Sequence, residues 1–116
     1  EFIDLANYCK SLEIEFLSTP FDSNAIDFLD PLMNFFKIAS ADITNIPFLR
    51  QVASKNKPVI LSTGASTLDE INIAVDTLDN HGASDIALLH CILNYPTPNE
   101  NASLGMINGL KVSFPK

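Results

Sequence analysis

Apolar and polar positions fall into two alternating kinds of block along this chain. Short apolar runs occur at Ile14-Glu15-Phe16-Leu17, Phe35-Phe36-Lys37-Ile38-Ala39, Pro58-Val59-Ile60-Leu61 and Ile86-Ala87-Leu88-Leu89. Between them, apolar residues recur at helical spacing: Ile26, Phe28 and Leu29, then Phe48, Leu49 and Val52, then Ile71, Val75 and Leu78. Runs this short, separated by helices, predict buried parallel strands. Start and stop signals agree. Ser23 is placed to cap the first intervening helix and Pro31 to end it. Asn45 caps the next, with Pro47 near its start and Asn56 and Pro58 beyond its end. Ser66 or Thr67 caps the third, backed by Asp69 and Glu70, and Gly82 follows it. Residues 1–9 carry the pattern of an amphipathic helix, and a weaker helix is expected over 106–112.

Four strand–helix units in this order give an α/β fold. Two architectures fit: a doubly wound open sheet, or part of a (β/α)8 TIM barrel with about four parallel strands and flanking helices. Composition narrows the class. With 47% hydrophobic and 18% charged residues the chain is globular rather than disordered. Seven Lys and Arg against fourteen Asp and Glu, a net charge of −7, argue against a nucleic-acid partner. No stretch approaches the roughly 20 apolar residues of a membrane span. No basic and apolar leader precedes Phe2, so no signal peptide is expected and the glycosylation sequon Asn101-Ala102-Ser103 is discounted. Cys9 and Cys91 have no metal-like spacing and are expected to be buried free thiols of a cytoplasmic protein. A length of 116 residues suits one domain, but the helical pattern at the very start points to a piece of something larger.

Candidate chemistry lies at the carboxyl ends of the four runs, which give way to Ser18-Thr19, Ser40, Ser62-Thr63 and His90. Both architectures bind ligands there. Hydroxyls at such positions can donate to a phosphate or carboxylate, or can simply begin loops and cap helices. Lys37 interrupts an otherwise apolar run, where an ammonium needs an anion or a polar cavity. It fits a phosphate partner, a Schiff-base nucleophile or a snorkelling edge-strand lysine. Strand alternation sets Lys37 and Ser40 on opposite faces, so a shared site requires the chain to bend as the strand ends. Asp42 fits a general base or a turn residue. His90 fits a hydrogen-bonded core histidine, and His81 a helix-end cation. Ser62-Thr63-Gly64-Ala65-Ser66 lacks the lysine of a phosphate-binding P-loop.

These strand ends resemble the N-acetylneuraminate (sialic acid) synthase family. The resemblance is carried by Phe16-Leu17-Ser18-Thr19-Pro20-Phe21, Phe36-Lys37-Ile38-Ala39-Ser40, Lys57-Pro58-Val59-Ile60-Leu61-Ser62-Thr63-Gly64, and Leu88-Leu89-His90-Cys91 with Asn94-Tyr95-Pro96-Thr97-Pro98. It implies a (β/α)8 barrel whose third to sixth strands this chain would supply, without the antifreeze-like domain that often follows. It also implies metal-dependent condensation of phosphoenolpyruvate with N-acetylmannosamine or a related sugar, releasing phosphate, in surface-carbohydrate (lipopolysaccharide) biosynthesis. By motif, Thr19, Lys37, Ser40 and Ser62 would hold phosphoenolpyruvate, Lys37 and Asp42 would be catalytic, and Asp42 and Tyr95 would meet the sugar. The divalent metal, manganese or magnesium, would have its histidine ligands beyond this chain. The full-length enzyme is expected to be a cytoplasmic homodimer and the isolated chain to be inactive.

Two positions depart from the family pattern. Ala41-Asp42 stands where the family has Gly-Glu, a carboxylate one methylene shorter. Ile92-Leu93 replaces Thr-Ser or Thr-Asn, removing polar donors and pointing to a different sugar acceptor. Two other functions remain open at this stage: a Schiff-base aldolase using Lys37, and a non-catalytic flavodoxin-like binding domain.

Overall fold

The structure, a computed structural model, describes residues 1–115. Five helices, α1 (Phe2–Ser11), α2 (Ser23–Leu29), α3 (Ile46–Ala53), α4 (Leu68–Asn80) and α5 (Met106–Ser113), are threaded with three strands. These are β1 (Phe36–Ile38), β2 (Val59–Ser62) and β3 (Ile86–Leu89). Single 3-10 turns lie at Asp30–Leu32, Ser40–Asp42 and Asn99–Asn101. The strands form one parallel sheet in the order β1-β2-β3. Lys37 pairs with Ile60, and Ile60 with Ala87.

The sheet is covered on one side. Phe36, Ile38, Val59 and Leu61 are buried, and they cluster with Ile26 and Leu29 of α2, Leu49 and Val52 of α3, and Ile71, Ala74 and Leu78 of α4. The alternate strand positions Lys37, Ile60, Ala87 and Leu89 face away from that cluster and are half-buried or exposed. A doubly wound sheet buries both faces under helices, whereas the wall of a (β/α)8 barrel carries helices outside only. The one-sided cover is that of the barrel wall.

The expected strand over Ile14–Leu17 is absent from this ladder. Its neighbour in space is the segment just before β1, and the two meet without backbone pairing: Asn34 Nδ2 donates to Glu15 Oε2 at 2.8 Å, and the Ser18 N–H meets Met33 Sδ at 3.1 Å. Ile14 and Leu17 are exposed, and only Phe16 packs against the core. Helix α1 forms as its periodicity predicts but buries none of its residues, touching the rest through the Phe2 ring, edge-on to Phe16 and Phe28.

Most helix ends follow their sequence signals. Asn45 Oδ1 accepts the Phe48 N–H, and Thr67 forms a full capping box with Glu70. Helix α2 differs: Asp22 is its cap, accepting the Ala25 N–H at 2.7 Å, and Ser23 is the first helical residue. Gly82 ends α4 at φ +111°, a conformation that favours glycine, with Ala83 N–H returning to Leu78 O and Gly82 N–H to Asp79 O. At the amino end of β2, Lys57 Nζ pairs with Asp30 Oδ1 at 2.7 Å and donates to Met33 O, tying the β2 entrance to the turn after α2. Beside it, the hydrogen bond from Lys55 holds the Asp27 carboxyl below its ordinary range and raises the Lys55 ammonium.

The capping box yields a test. Thr67→Ala should cost about 1 kcal/mol of stability, read as a lower urea midpoint. Hydrogen bonds from the Thr67 backbone and hydroxyl lower the Glu70 pKa. A folded-state value below the unfolded one stabilises above the unfolded pKa, and that share is lost as pH falls through the folded value. The acid-side loss of stability should therefore be shallower in Thr67→Ala than in the parent chain.

Candidate functional site

The carboxyl ends of the three strands converge through the loop that follows β2. Thr63 is fastened to β3: its N–H and its hydroxyl both donate to Leu89 O, at 3.1 and 2.8 Å. Gly64 is fastened to the end of β1, its N–H donating to Ser40 Oγ at 2.8 Å. Its carbonyl accepts from Ser66 Oγ at 3.2 Å. Between them Ala65 holds φ at 51°, left-handed backbone that costs an L-residue roughly 1–2 kcal/mol. Bonds on both flanks fix this loop in place.

The chain bends directly after β1. β1 stops at Ile38 and the chain turns into the 3-10 turn Ser40–Asp42, which carries the Ser40 hydroxyl across to Gly64. Lys37 lies on the open face of the sheet, in register with Ile60, and Ser62 follows two residues later on that same face. Lys37 is half-buried, and its ammonium makes no ion pair or hydrogen bond among the described residues. Ser62 is 4% exposed. An ammonium and hydroxyls on the concave side of a barrel wall can hold a polyanion by charge-assisted hydrogen bonds.

The other candidates stand apart from this pair. Asp42 is half-buried, and its carboxylate accepts from Asn45 Nδ2 at 3.5 Å while its backbone joins the turn leading into α3. Thr19 is half-buried in the segment after Leu17, with no hydrogen bond to the strand ends. Tyr95 is 86% exposed in the loop after β3 and makes no hydrogen bond or ring contact with the other candidates. His90 Nε2 meets Ala102 O at 2.9 Å, and His81 Nδ1 meets Thr77 O at 2.8 Å, so both imidazoles serve backbone. Cys9 and Cys91 are free thiols, half-buried rather than fully buried. Among the described residues, no three His, Cys, Asp or Glu side chains converge as a metal site would require.

Sequence reasoning marked Thr63 as a strand-end hydroxyl and Gly64 as part of a family motif, but gave neither the role of tying the three strand ends together. A glycine directly after a Ser-Thr strand end was the available signal. An apolar hollow lies elsewhere: an open recess of about 360 Å³ at the amino ends of the strands, lined by Phe35, Pro58, Val59 and Ile86 among others. It meets none of the hydroxyls, and ligands of parallel α/β folds bind at the opposite end.

Helices on one face and polar groups gathered at the carboxyl ends define part of a (β/α)8-barrel wall. The sequence model of the NeuB family matches residues 1–116, and the chain belongs to that family. It is 43% identical over 114 residues to the N,N'-diacetyllegionaminic acid synthase of Campylobacter jejuni, covering 96% of this chain and 34% of that protein. Two crystal structures are closely similar. The spore coat polysaccharide biosynthesis protein SpsE of Bacillus subtilis superposes with a TM-score of 0.93 at 36% identity, over 97% of this chain and 32% of that one. The sialic acid synthetase of Leptospira borgpetersenii, in complex with citrate, gives 0.92 at 35% identity, over 97% of this chain and 40% of that one. The chain thus spans about a third of the length of the relatives it matches.

The loop geometry is testable by removing one atom. Ser40→Ala leaves the buried Gly64 N–H without its acceptor and should cost about 1–3 kcal/mol. Chemical denaturation measures the loss, and hydrogen exchange at the Gly64 amide should accelerate with it.

Proposed function

We propose that the protein carrying this sequence is a nonulosonic acid synthase. It condenses phosphoenolpyruvate with the aldehyde of an N-acetylated sugar, N-acetylmannosamine or a relative, in carbohydrate biosynthesis. One observation carries the proposal: the Lys37 ammonium stands without an anionic partner on the open face of the sheet, in line with the buried Ser62. Family membership and the names of the relatives support the reaction class.

The atoms balance as follows. C3 of phosphoenolpyruvate attacks the aldehyde carbon, the new C–C bond forms, and the aldehyde oxygen becomes a hydroxyl. Water adds at C2, and phosphate leaves by C–O cleavage to give the 2-keto acid. In this scheme Lys37 binds the phosphate and steadies its charge as the bond breaks, with Ser40, Ser62 and Thr19 donating to the phosphate and carboxylate. Asp42 orients water or a sugar hydroxyl, and Tyr95 meets the sugar. A divalent metal, manganese or magnesium, supplies polarisation of the aldehyde. The described residues offer it no cluster of ligands, so no step is assigned to it on this chain.

The chain is proposed to provide the third to sixth strand positions of a single synthase barrel, in a cytoplasmic homodimer. No helix among the described residues is long and apolar enough to cross a membrane.

Lys37→Ala in the full-length protein should abolish phosphate release from phosphoenolpyruvate in the presence of sugar and metal. Near-normal turnover by that variant would contradict the assignment. Borohydride trapping of a pyruvate adduct on Lys37 would replace it with Schiff-base chemistry.

A further inference from the structure

Gly64 sits where β2 leaves the sheet, and its backbone φ lies outside the left-handed region, so conformation alone does not require glycine there. Space does. A Cβ at this position would lie 2.9 Å from Ser40 Oγ and 2.9 Å from Leu93 Cδ2, both closer than real Cβ contacts come. The missing side chain lets the Gly64 N–H and the Ser40 hydroxyl meet at 2.8 Å.

That hydrogen bond has a chemical consequence for Ser40. A serine hydroxyl has one hydrogen to donate and two lone pairs to accept with. The Gly64 N–H occupies a lone pair, and Ser40 Oγ donates to no protein group among the described residues. Its hydrogen is left for an acceptor outside the protein, while the oxygen is held at a fixed place at the end of β1.

We propose that Gly64 is a positioning residue for anion binding. By donating to Ser40 Oγ, it fixes that hydroxyl as a donor to the phosphate or carboxylate of phosphoenolpyruvate, a role that rests on the condensation proposed above. Gly64 itself touches no reacting atom. Its amide acts through Ser40, and its lack of a side chain keeps Leu93 and Ser40 at their present separation from the loop.

The test is a double-mutant cycle in the full-length protein, measuring KM for phosphoenolpyruvate and kcat separately. Gly64→Ala should raise KM about tenfold, the worth of one hydrogen bond to a charged group, with kcat within about twofold. Ser40→Ala should raise KM similarly. Gly64→Ala placed in the Ser40→Ala background should add less than about twofold, because the donor it positions is already gone. An unchanged KM in Gly64→Ala overturns the proposal. So does a full tenfold effect that persists without the Ser40 hydroxyl, which would assign the glycine to packing against Leu93. Should Gly64→Ala fail to fold, Ser40→Ala alone decides: an unchanged KM for phosphoenolpyruvate in that variant overturns the proposal. Lys37→Ala separates this proposal from the one beneath it. If that variant keeps its turnover, the condensation itself is wrong; if it is dead while Gly64→Ala is normal, only the positioning role fails.

Discussion

Leu61, at the centre of the middle strand, is fully buried against helices, while Ile60 beside it looks the other way. This alternation organises the chain. Phe36, Ile38, Val59 and Leu61 each place their side chains on the helical side, and each such burial is worth about 1.5–3 kcal/mol. A slip of one residue in register would turn all of them outward and drive Lys37 into the apolar layer, where an unpaired ammonium is costly. The register that satisfies the core therefore also delivers Lys37 and Ser62 to the open face. Core and site are two readouts of one constraint.

The open face is in turn what makes the strand ends usable. Helices packed on both sides would close the space over Lys37, as in a doubly wound sheet. With cover on one side only, charged and hydroxyl groups collect on the concave side, and the loop after β2 is free to be fastened to its neighbours. Thr63 reaches β3 and Gly64 reaches Ser40, so the three strand ends are tied together. A polyanion bound there, as proposed, would require little reordering of the groups that meet it.

Much of this was legible in the residues. The runs at 36–38, 59–62 and 86–89 are strands because they are short, apolar and bounded by polar breaks, and Asn45 and Thr67 cap because their side chains can. The run at 14–17 has the same local character yet joins no ladder, because pairing depends on what backbone lies alongside and a local pattern carries no partner. Asp22 displaced Ser23 as a cap since adjacent capping residues compete and only the backbone angle at Asp22 suits the role. The bond between Ser40 and Gly64 spans 24 residues and arises from a bend after β1, which strict strand alternation does not contain. Lys37 was legible for the opposite reason: a charge inside an apolar run demands an explanation wherever it falls.

The most direct measurement is a crystal structure of the full-length protein with phosphoenolpyruvate bound. The account predicts its phosphate in ion-pair contact with Lys37 Nζ on the open face, with the Ser40 hydroxyl donating to the bound anion. A phosphate bound at the amino ends of the strands, or a Lys37 ammonium turned away from the anion, would contradict it.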